Sequence, residues 1–247
     1  MTQQAPQRVA LVTGGSRGIG AAIVQRLARD GFAVAINYAS SAHEADALAA
    51  EIRGAGGRAL AVRADVSKAA EVNALFDQVQ AELGRIDVLV NSAGVLSVQP
   101  LADTTDEQFE RTFDINTRGT FNTLRAAATR LADGGRIVNV SSTTIALNLP
   151  GYAIYIGSKA AVESFTHVFS KELRGRQITV NAVAPGPVAT ELFLKGKSPE
   201  LIEHFTKLPP LERLGQPEDI AGVVSFLAGP DSGWVNGQIL RANGGIA

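Results

Sequence analysis

The chain has 247 residues, of which 45% are apolar, and a formal net charge of −1. This length suits one large α/β domain or two small ones, and the apolar share can fill a core, which speaks against disorder. The near-neutral charge argues against a nucleic-acid binder with a broad basic face. The absence of cysteine excludes disulfides and thiolate catalysis.

The amino terminus, "MTQQAPQ", is polar and lacks the apolar core of a signal peptide. No run approaches the roughly 20 apolar residues that a membrane-spanning helix needs. We therefore expect a soluble, cytoplasmic protein without a membrane partner. His43, His167 and His204 are scattered, and their spacing predicts no metal site.

Strand candidates alternate with helical patterns through the first half of the chain. "RVALVTG" is followed by apolar residues at helical spacing, and this pattern ends near Gly31. "FAVAINY" precedes an Ala/Glu-rich helix that "GAGG" (54–57) breaks. "RALAVRADV" precedes a helix through Leu83, which we expect Ser67 to cap. "IDVLVNSAG" and "GRIVNVSS" are the fourth and fifth strand candidates.

The second half continues with a long helix around 153–173, the strand "ITVNAVAPG", a helix near 217–228 and a last strand, "GQILRAN". Apolar strands separated by helices indicate a parallel sheet covered on both faces. With right-handed crossovers this is a doubly wound, Rossmann-type α/β fold. We find no linker, so residues 1–247 form one domain. The long Pro/Gly-rich stretch 185–217 follows a strand's carboxyl end and is predicted to be a substrate-pocket lid, although a loosely packed surface loop has the same composition.

The stretch "TGGSRGIG" (13–20) lies where the first strand passes into the first helix. Such a turn lets backbone approach a pyrophosphate and points helix N–H groups at it. Its spacing is not G-x-G-x-x-G, so the prediction depends on its position between strand and helix. The predicted cofactor contacts here are Gly14, Ser16, Arg17, Gly18, Ile19 and Gly20.

The end of the second strand reads "INYASS", and no acid occurs between Asp30 and Glu44. NAD-selective enzymes usually place an acid there to hold the ribose hydroxyls. Arg17 can instead attract a 2′-phosphate and bind it through two hydrogen bonds, unless it is merely a solvated turn residue. Both features favour NADP(H), with contacts predicted at Asn37, Tyr38, Ala39 and Ser40.

The stretch "YAIYIGSK" (152–159) places Tyr155 and Lys159 four residues apart, on one face of a helix. They could form an ordinary surface pair. Alternatively, the lysine could lower the pKa of a tyrosine that donates a proton. The residues alone leave both interpretations open.

Together with "NSAG" (91–94), Asn116, Ser142 thirteen residues before "YIGSK", and "PGPVAT" (185–190), these motifs resemble the short-chain dehydrogenase/reductase family over essentially the whole chain. The resemblance implies that Ser142 hydrogen-bonds the substrate oxygen and that Tyr155 passes it a proton. Lys159 would hold the nicotinamide ribose and lower the tyrosine pKa, and Asn116 would support a proton relay.

The resemblance also implies further cofactor contacts: Asp65 and Val66 at the adenine, Asn91, Ser92, Ala93 and Gly94 at the sheet and cofactor, and Pro185, Gly186, Val188 and Thr190 at the nicotinamide. Ser92 departs from the family, which most often has asparagine there. We expect this difference to have a small effect on stability and little on chemistry. The family further suggests a homo-oligomer, a tetramer or at least a dimer.

The substrate is less well defined by the sequence. Apolar candidates for a pocket wall are Leu192, Phe193, Leu194 and Phe205, which could equally pack the 185–217 segment onto the body. The chain resembles NADPH-dependent aldehyde or carbonyl reductases and, more broadly, 3-oxoacyl-carrier-protein reductases. The latter need a basic surface for an acidic carrier, which Lys195, Lys197 and Lys207 could supply. We expect reduction of a small aldehyde or ketone; a non-catalytic NADP sensor is the alternative of a different class.

Overall fold

The computed structural model describes residues 7–247. The polar amino terminus, from which we expect no signal peptide, lies outside the described residues except for Gln7. The strands are β1 (Val9–Thr13), β2 (Ala33–Tyr38), β3 (Ala59–Arg63), β4 (Ile86–Asn91), β5 (Arg136–Val140), β6 (Thr179–Pro185) and β7 (Ile239–Ala242). They form one parallel sheet in the order β3-β2-β1-β4-β5-β6-β7.

The helices are α1 (Gly18–Arg29), α2 (Ala42–Gly54), α3 (Ala69–Glu82), α4 (Asp106–Phe113), α5 (Gly119–Arg130), α6 (Thr144–Leu147), α7 (Ala153–Glu172), α8 (Glu191–Leu194), α9 (Pro199–Lys207) and α10 (Pro217–Ala228). A π-helical turn, Asp114–Arg118, joins α4 to α5, and 3₁₀ turns occur at Leu101–Asp103 and Pro230–Ser232. Within residues 7–247, no helix combines the length and apolarity needed to cross a membrane.

The core lies on both faces of the sheet, because successive strand residues point to opposite sides. Ala10 and Val12 of β1 pack in one buried cluster, with apolar residues of α1, α2 and α10. Val9 and Leu11 pack in a second cluster, with residues of α3 and α5. This two-sided burial explains the near-continuous apolar strands and confirms the predicted doubly wound α/β fold.

The strand order reverses between β1 and β4, which places a crevice at their carboxyl ends. Thr13, the last residue of β1, holds this crevice in shape. Its hydroxyl oxygen accepts hydrogen bonds from the backbone N–H groups of Ser92 (3.1 Å) and Ala93 (3.2 Å). The glycine-rich turn after β1 therefore lies beside "NSAG" after β4.

Two local predictions are corrected by the structure. Ser67 does not cap α3, which begins one residue later than that role requires, with Lys68 at the N-cap. Instead, the Ser67 hydroxyl donates to the Asp65 carboxylate at 2.7 Å, and its backbone N–H does so at 3.0 Å. The segment 185–217, for which the sequence also allowed a loosely packed surface loop, contains α8 and α9.

Candidate active site

A cleft of about 720 Å³ lies at the carboxyl end of the sheet and falls within the usual range for ligand sites. Its walls come from the segments that follow β1 to β6 and from α7. The predicted site residues that line it are Gly14, Ser16, Arg17, Gly18, Ile19, Gly20, Asn37, Tyr38, Ala39, Ser40, Asp65, Val66, Ser92, Ala93, Gly94, Ser142, Tyr155, Lys159, Pro185, Gly186, Val188 and Thr190.

The glycine-rich turn brings backbone to the cleft where no side chain would fit. Gly14 has a φ of +61°, and a Cβ there would lie 2.7 Å from the Ala93 Cα. A Cβ on Gly20 would lie 2.1 Å from the Gly14 carbonyl oxygen. Arg17 occupies the N-cap of α1 and has no side-chain acceptor, so the first-turn amides of α1 remain for a ligand or water. The glycine-rich turn and these amides together form a suitable binding site for a phosphate group.

The ends of β2 and β3 form the next part of the wall. The Asn37 side chain ties the two strands together by donating to the carbonyl oxygens of Val62 (3.4 Å) and Ala64 (3.0 Å). Arg63 lies opposite Tyr38 in the parallel register and donates from Nε to the Ala39 carbonyl oxygen at 3.2 Å.

Sequence reasoning missed Ser41, Arg63 and Lys68, which also line this part of the cleft. Arg63 could have been found from the register, because neighbouring parallel strands end at the same edge of a sheet. Arg63 and Lys68 add positive charge to a wall on which Arg17 and Asp65 are the charged residues among those predicted.

The three central polar residues, Ser142, Tyr155 and Lys159, line the cleft together. Tyr155 and Lys159 lie one turn apart on α7, and Ser142 follows β5. The Ser142 hydroxyl oxygen accepts a hydrogen bond from the Thr144 hydroxyl at 2.9 Å. Because Thr144 fills an acceptor position on Ser142, the Ser142 hydrogen stays free to point into the cleft. Sequence reasoning missed this role of Thr144.

Lys159 is only 5% exposed, and its ammonium donates to the Val140 carbonyl oxygen at 2.7 Å. Burial lowers the Lys159 pKa to about 8. Burial also raises the pKa of Tyr155, an effect that a hydrogen bond with Ser142 partly offsets and Tyr152 reinforces. Desolvation is the largest influence on the Tyr155 pKa in this structure, and the lowering of that pKa by Lys159 stays a prediction.

Asn116 and Asn91 do not line the cleft; they lie behind it. Asn116 is fully buried in the π-helical turn. Its side chain accepts a hydrogen bond from the Val95 N–H (2.8 Å) and donates one to the Val95 carbonyl oxygen (3.0 Å). It also donates to the Ser158 hydroxyl oxygen (3.0 Å). Asn91 donates to the Asn139 side chain at 2.9 Å. Both hold the backbone that forms the wall.

The segment after β6 forms the far wall. Leu192, Phe193 and Phe205 line the cleft there, and Leu194 does not. The rings of Phe193 and Phe205 meet edge to face, with centroids 5.4 Å apart, so this contact joins α8 to α9. Further apolar lining residues, which sequence reasoning did not single out, are Leu96, Leu147, Leu149 and Ile246. Tyr152 also lines the cleft, with its ring edge-on to Tyr155.

The three lysines of this segment have different surroundings. Lys195 lines the cleft. The Lys197 ammonium lies over the Phe193 ring, 4.4 Å from its centroid. Lys207 forms an exposed ion pair with Glu203 at 2.6 Å.

A family model described as enoyl-(acyl carrier protein) reductase matches residues 14–247. A short-chain type dehydrogenase/reductase from Picea abies is 46% identical, over 96% of this chain and 92% of its own length. An NADPH-dependent aldehyde reductase-like protein, chloroplastic, from Arabidopsis thaliana is 44% identical, over 96% of this chain and 93% of its own length. A blue fluorescent protein from a metagenomic library, solved in complex with NADPH, superposes with a TM-score of 0.93 at 40% identity and covers 99% of this chain and 100% of its own.

Proposed function

The chain belongs to the short-chain dehydrogenase/reductase family, and from that premise we propose that it is an NADPH-dependent oxidoreductase that reduces an aldehyde or ketone to an alcohol. The observation that supports this most strongly is that Ser142, Tyr155 and Lys159 line the same cleft as the glycine-rich turn. A hydride donor and a proton donor can then reach one carbonyl group.

The residues present fit NADP(H), whose nicotinamide supplies the hydride. The turn at Gly14 and Gly20 leaves room for a pyrophosphate beside the first amides of α1. The end of β2 carries no acid that would repel a 2′-phosphate, and Arg17 and Arg63 lie on the same wall. Val188 and Thr190 line the part of the cleft assigned to the nicotinamide.

Tyr155 acts as the proton donor to the substrate oxygen. Its hydroxyl is protonated at neutral pH, which is the form that reduction requires, and the raised pKa extends that form to higher pH. Ser142, oriented by Thr144, donates a second hydrogen bond to the oxygen where negative charge develops. Lys159 is held one turn away by Val140 and positions the ribose.

The far wall supports an uncharged carbonyl substrate. Leu192, Phe193 and Phe205 offer apolar surface, and Lys197 and Lys207 are engaged within the segment itself. An acidic acyl-carrier partner therefore has only Lys195 of the three predicted lysines to meet at the cleft. This arrangement favours a free aldehyde or ketone over a carrier-bound 3-oxoacyl thioester.

The test follows NADPH consumption with aldehydes, ketones, diketones and 3-oxoacyl thioesters, and uses NADH as the control. We expect turnover of aldehydes or ketones and a lower kcat/KM with NADH. Turnover of thioesters alone would contradict the substrate assignment. NADPH binding with no turnover of any carbonyl compound would favour the non-catalytic sensor.

A further inference from the structure

An ion pair spans the cleft between the turn and the far wall. The Arg17 guanidinium, at the start of α1, lies 3.5 Å from the carboxylate of Glu191, the first residue of α8. Both side chains line the cleft and are largely exposed, at 65% and 71%. Next to this pair, a Cβ on Gly18 would lie 3.5 Å from the Thr190 methyl group, so the turn and the far wall are in close contact.

Arg17 is thus the predicted partner of the 2′-phosphate and the actual partner of Glu191. We propose that Glu191 competes with the 2′-phosphate of NADP(H) for Arg17, so that Glu191 sets how strongly the protein prefers NADP(H) over NAD(H). This inference concerns binding of the cofactor and does not depend on the proposed substrate or on proton transfer by Tyr155.

The physical basis is competition between two anions, the Glu191 carboxylate and the 2′-phosphate, for the Arg17 guanidinium. An exposed ion pair is weak, because water and salt screen it, and contributes about a two- to fivefold effect at most. A phosphate carries more charge and presents three oxygens to the planar guanidinium, so it displaces the carboxylate. The displaced carboxylate remains near the phosphate, where two negative charges repel each other. Both effects lower the affinity for a 2′-phosphate and leave a ligand without one unaffected.

No other acid is paired with Arg17 among residues 7–247. Glu71, which also lines the cleft, is engaged by Lys68 at 3.3 Å and by the Asp65 backbone N–H at 2.8 Å. Glu191 is therefore the acid whose removal isolates the effect.

Adenosine 2′,5′-bisphosphate and AMP are the appropriate probes, because they differ by the 2′-phosphate and lack the nicotinamide, which would touch Thr190. Their dissociation constants are measured by calorimetry for the wild type, Glu191→Gln, Arg17→Gln and the double variant. Glu203→Gln is the matched control: it removes the same charge from the same segment, and its partner is Lys207.

We expect Glu191→Gln to bind adenosine 2′,5′-bisphosphate about two- to fivefold more tightly and AMP with unchanged affinity. Arg17→Gln weakens binding of the bisphosphate, and adding Glu191→Gln to it gives a smaller gain than in the wild type, because the contested cation is gone and only the charge repulsion is relieved. Glu203→Gln behaves as wild type.

Three results would overturn the proposal: bisphosphate binding by Glu191→Gln that is unchanged or weaker, an equal gain for AMP, or a full gain that persists in the Arg17→Gln background. Each can occur in a protein that still reduces carbonyl compounds with NADPH. Failure of this inference is thus separable from failure of the proposed function.

Discussion

At the scale of single residues, the site buries ionisable groups where water cannot solvate their charge. Lys159 is buried with one hydrogen bond to a neutral carbonyl oxygen, and its pKa falls from 10.5 to about 8. Such a cation costs stability, because burial disfavours the charged form. We propose that a ribose hydroxyl meets Lys159 here, so that its burial serves function at a cost in stability.

Lys159→Met should therefore stabilise the protein while abolishing most of its activity. Below about pH 8 the folded state carries the penalty of a charged Lys159, so the variant's free energy of unfolding should rise by on the order of 2 kcal/mol at pH 7. The lost hydrogen bond to Val140 offsets part of the gain.

The stability advantage of Lys159→Met decreases as pH rises. Between about 8 and 10.5 the unfolded lysine binds more protons than the folded one, so the wild type gains stability and the variant's advantage shrinks. Urea unfolding at several pH values measures this. Lys171→Met, at an exposed position on the same helix, is the control and should change stability little. A variant less stable than the wild type at pH 7 would contradict the prediction.

At the scale of elements, α8 and α9 form the far wall as one unit because Phe193 and Phe205 join them. Each helix is short and begins with a capping hydroxyl: Thr190 accepts from the Phe193 N–H, and Ser198 from the Leu201 N–H. Short helices are marginal in isolation, so this contact between their side chains stabilises the wall. Whether the segment also opens as a lid stays a prediction.

Phe205→Ala should raise KM for apolar aldehydes and ketones several-fold, because it removes both a lining side chain and the contact that positions Phe193. NADPH affinity should change little. Steady-state kinetics and NADPH titration measure the two effects. Leu201→Ala, on the same helix and outside the cleft lining, is the matched control. Equal effects of the two substitutions on KM would contradict this role of Phe205.

Most of the sheet could be predicted from the sequence, because buried parallel strands are apolar runs that end at glycine or polar residues. Helices α4 and α5 were not predicted. Both are polar on average. α4 has a single buried residue, Thr112, and the buried face of α5 consists largely of small or polar residues, so neither stands out in the sequence as an apolar helix. The failure at Ser67 has a different cause: Asp65, two residues earlier, offers a local acceptor that competes with the helix cap.

The site was predictable where it depended on local motifs and unpredictable where it depended on packing. Tyr155 and Lys159 share a helix face, and four-residue spacing is visible in the sequence. The burial that raises the Tyr155 pKa arises from segments far apart in the chain. The same is true of the pairing of Arg17 with Glu191 across the cleft.

At the scale of the whole molecule, several large apolar side chains remain exposed. Phe109 on α4, Phe121 on α5 and Val168 on α7 are each about half exposed, and Trp234 is 99% exposed. Exposed apolar surface of this kind is typical of protein interfaces. On α7, by contrast, Phe165 and Phe169 pack against the core, so they are not free for a partner as Val168 is.

We expect a homo-oligomer, a tetramer or at least a dimer of the 25.8 kDa chain. Sedimentation equilibrium at micromolar concentration measures the mass. Val168→Glu should weaken the assembly if α7 contributes to it, because it would place a charge in an apolar contact. Lys171→Glu, at the exposed end of the same helix, is the comparison. A wild-type protein whose measured mass is that of one 25.8 kDa chain would contradict the expectation.

The central claim is that Tyr155 gives its proton to the carbonyl oxygen of a substrate held beside NADPH. The most direct measurement compares wild type and Tyr155→Phe for NADPH binding and for reduction of the best aldehyde or ketone. The account predicts that the variant binds NADPH normally and loses activity by about 10²–10⁴-fold, the usual contribution of a general acid. Full reductase activity in a variant that still binds NADPH would contradict it.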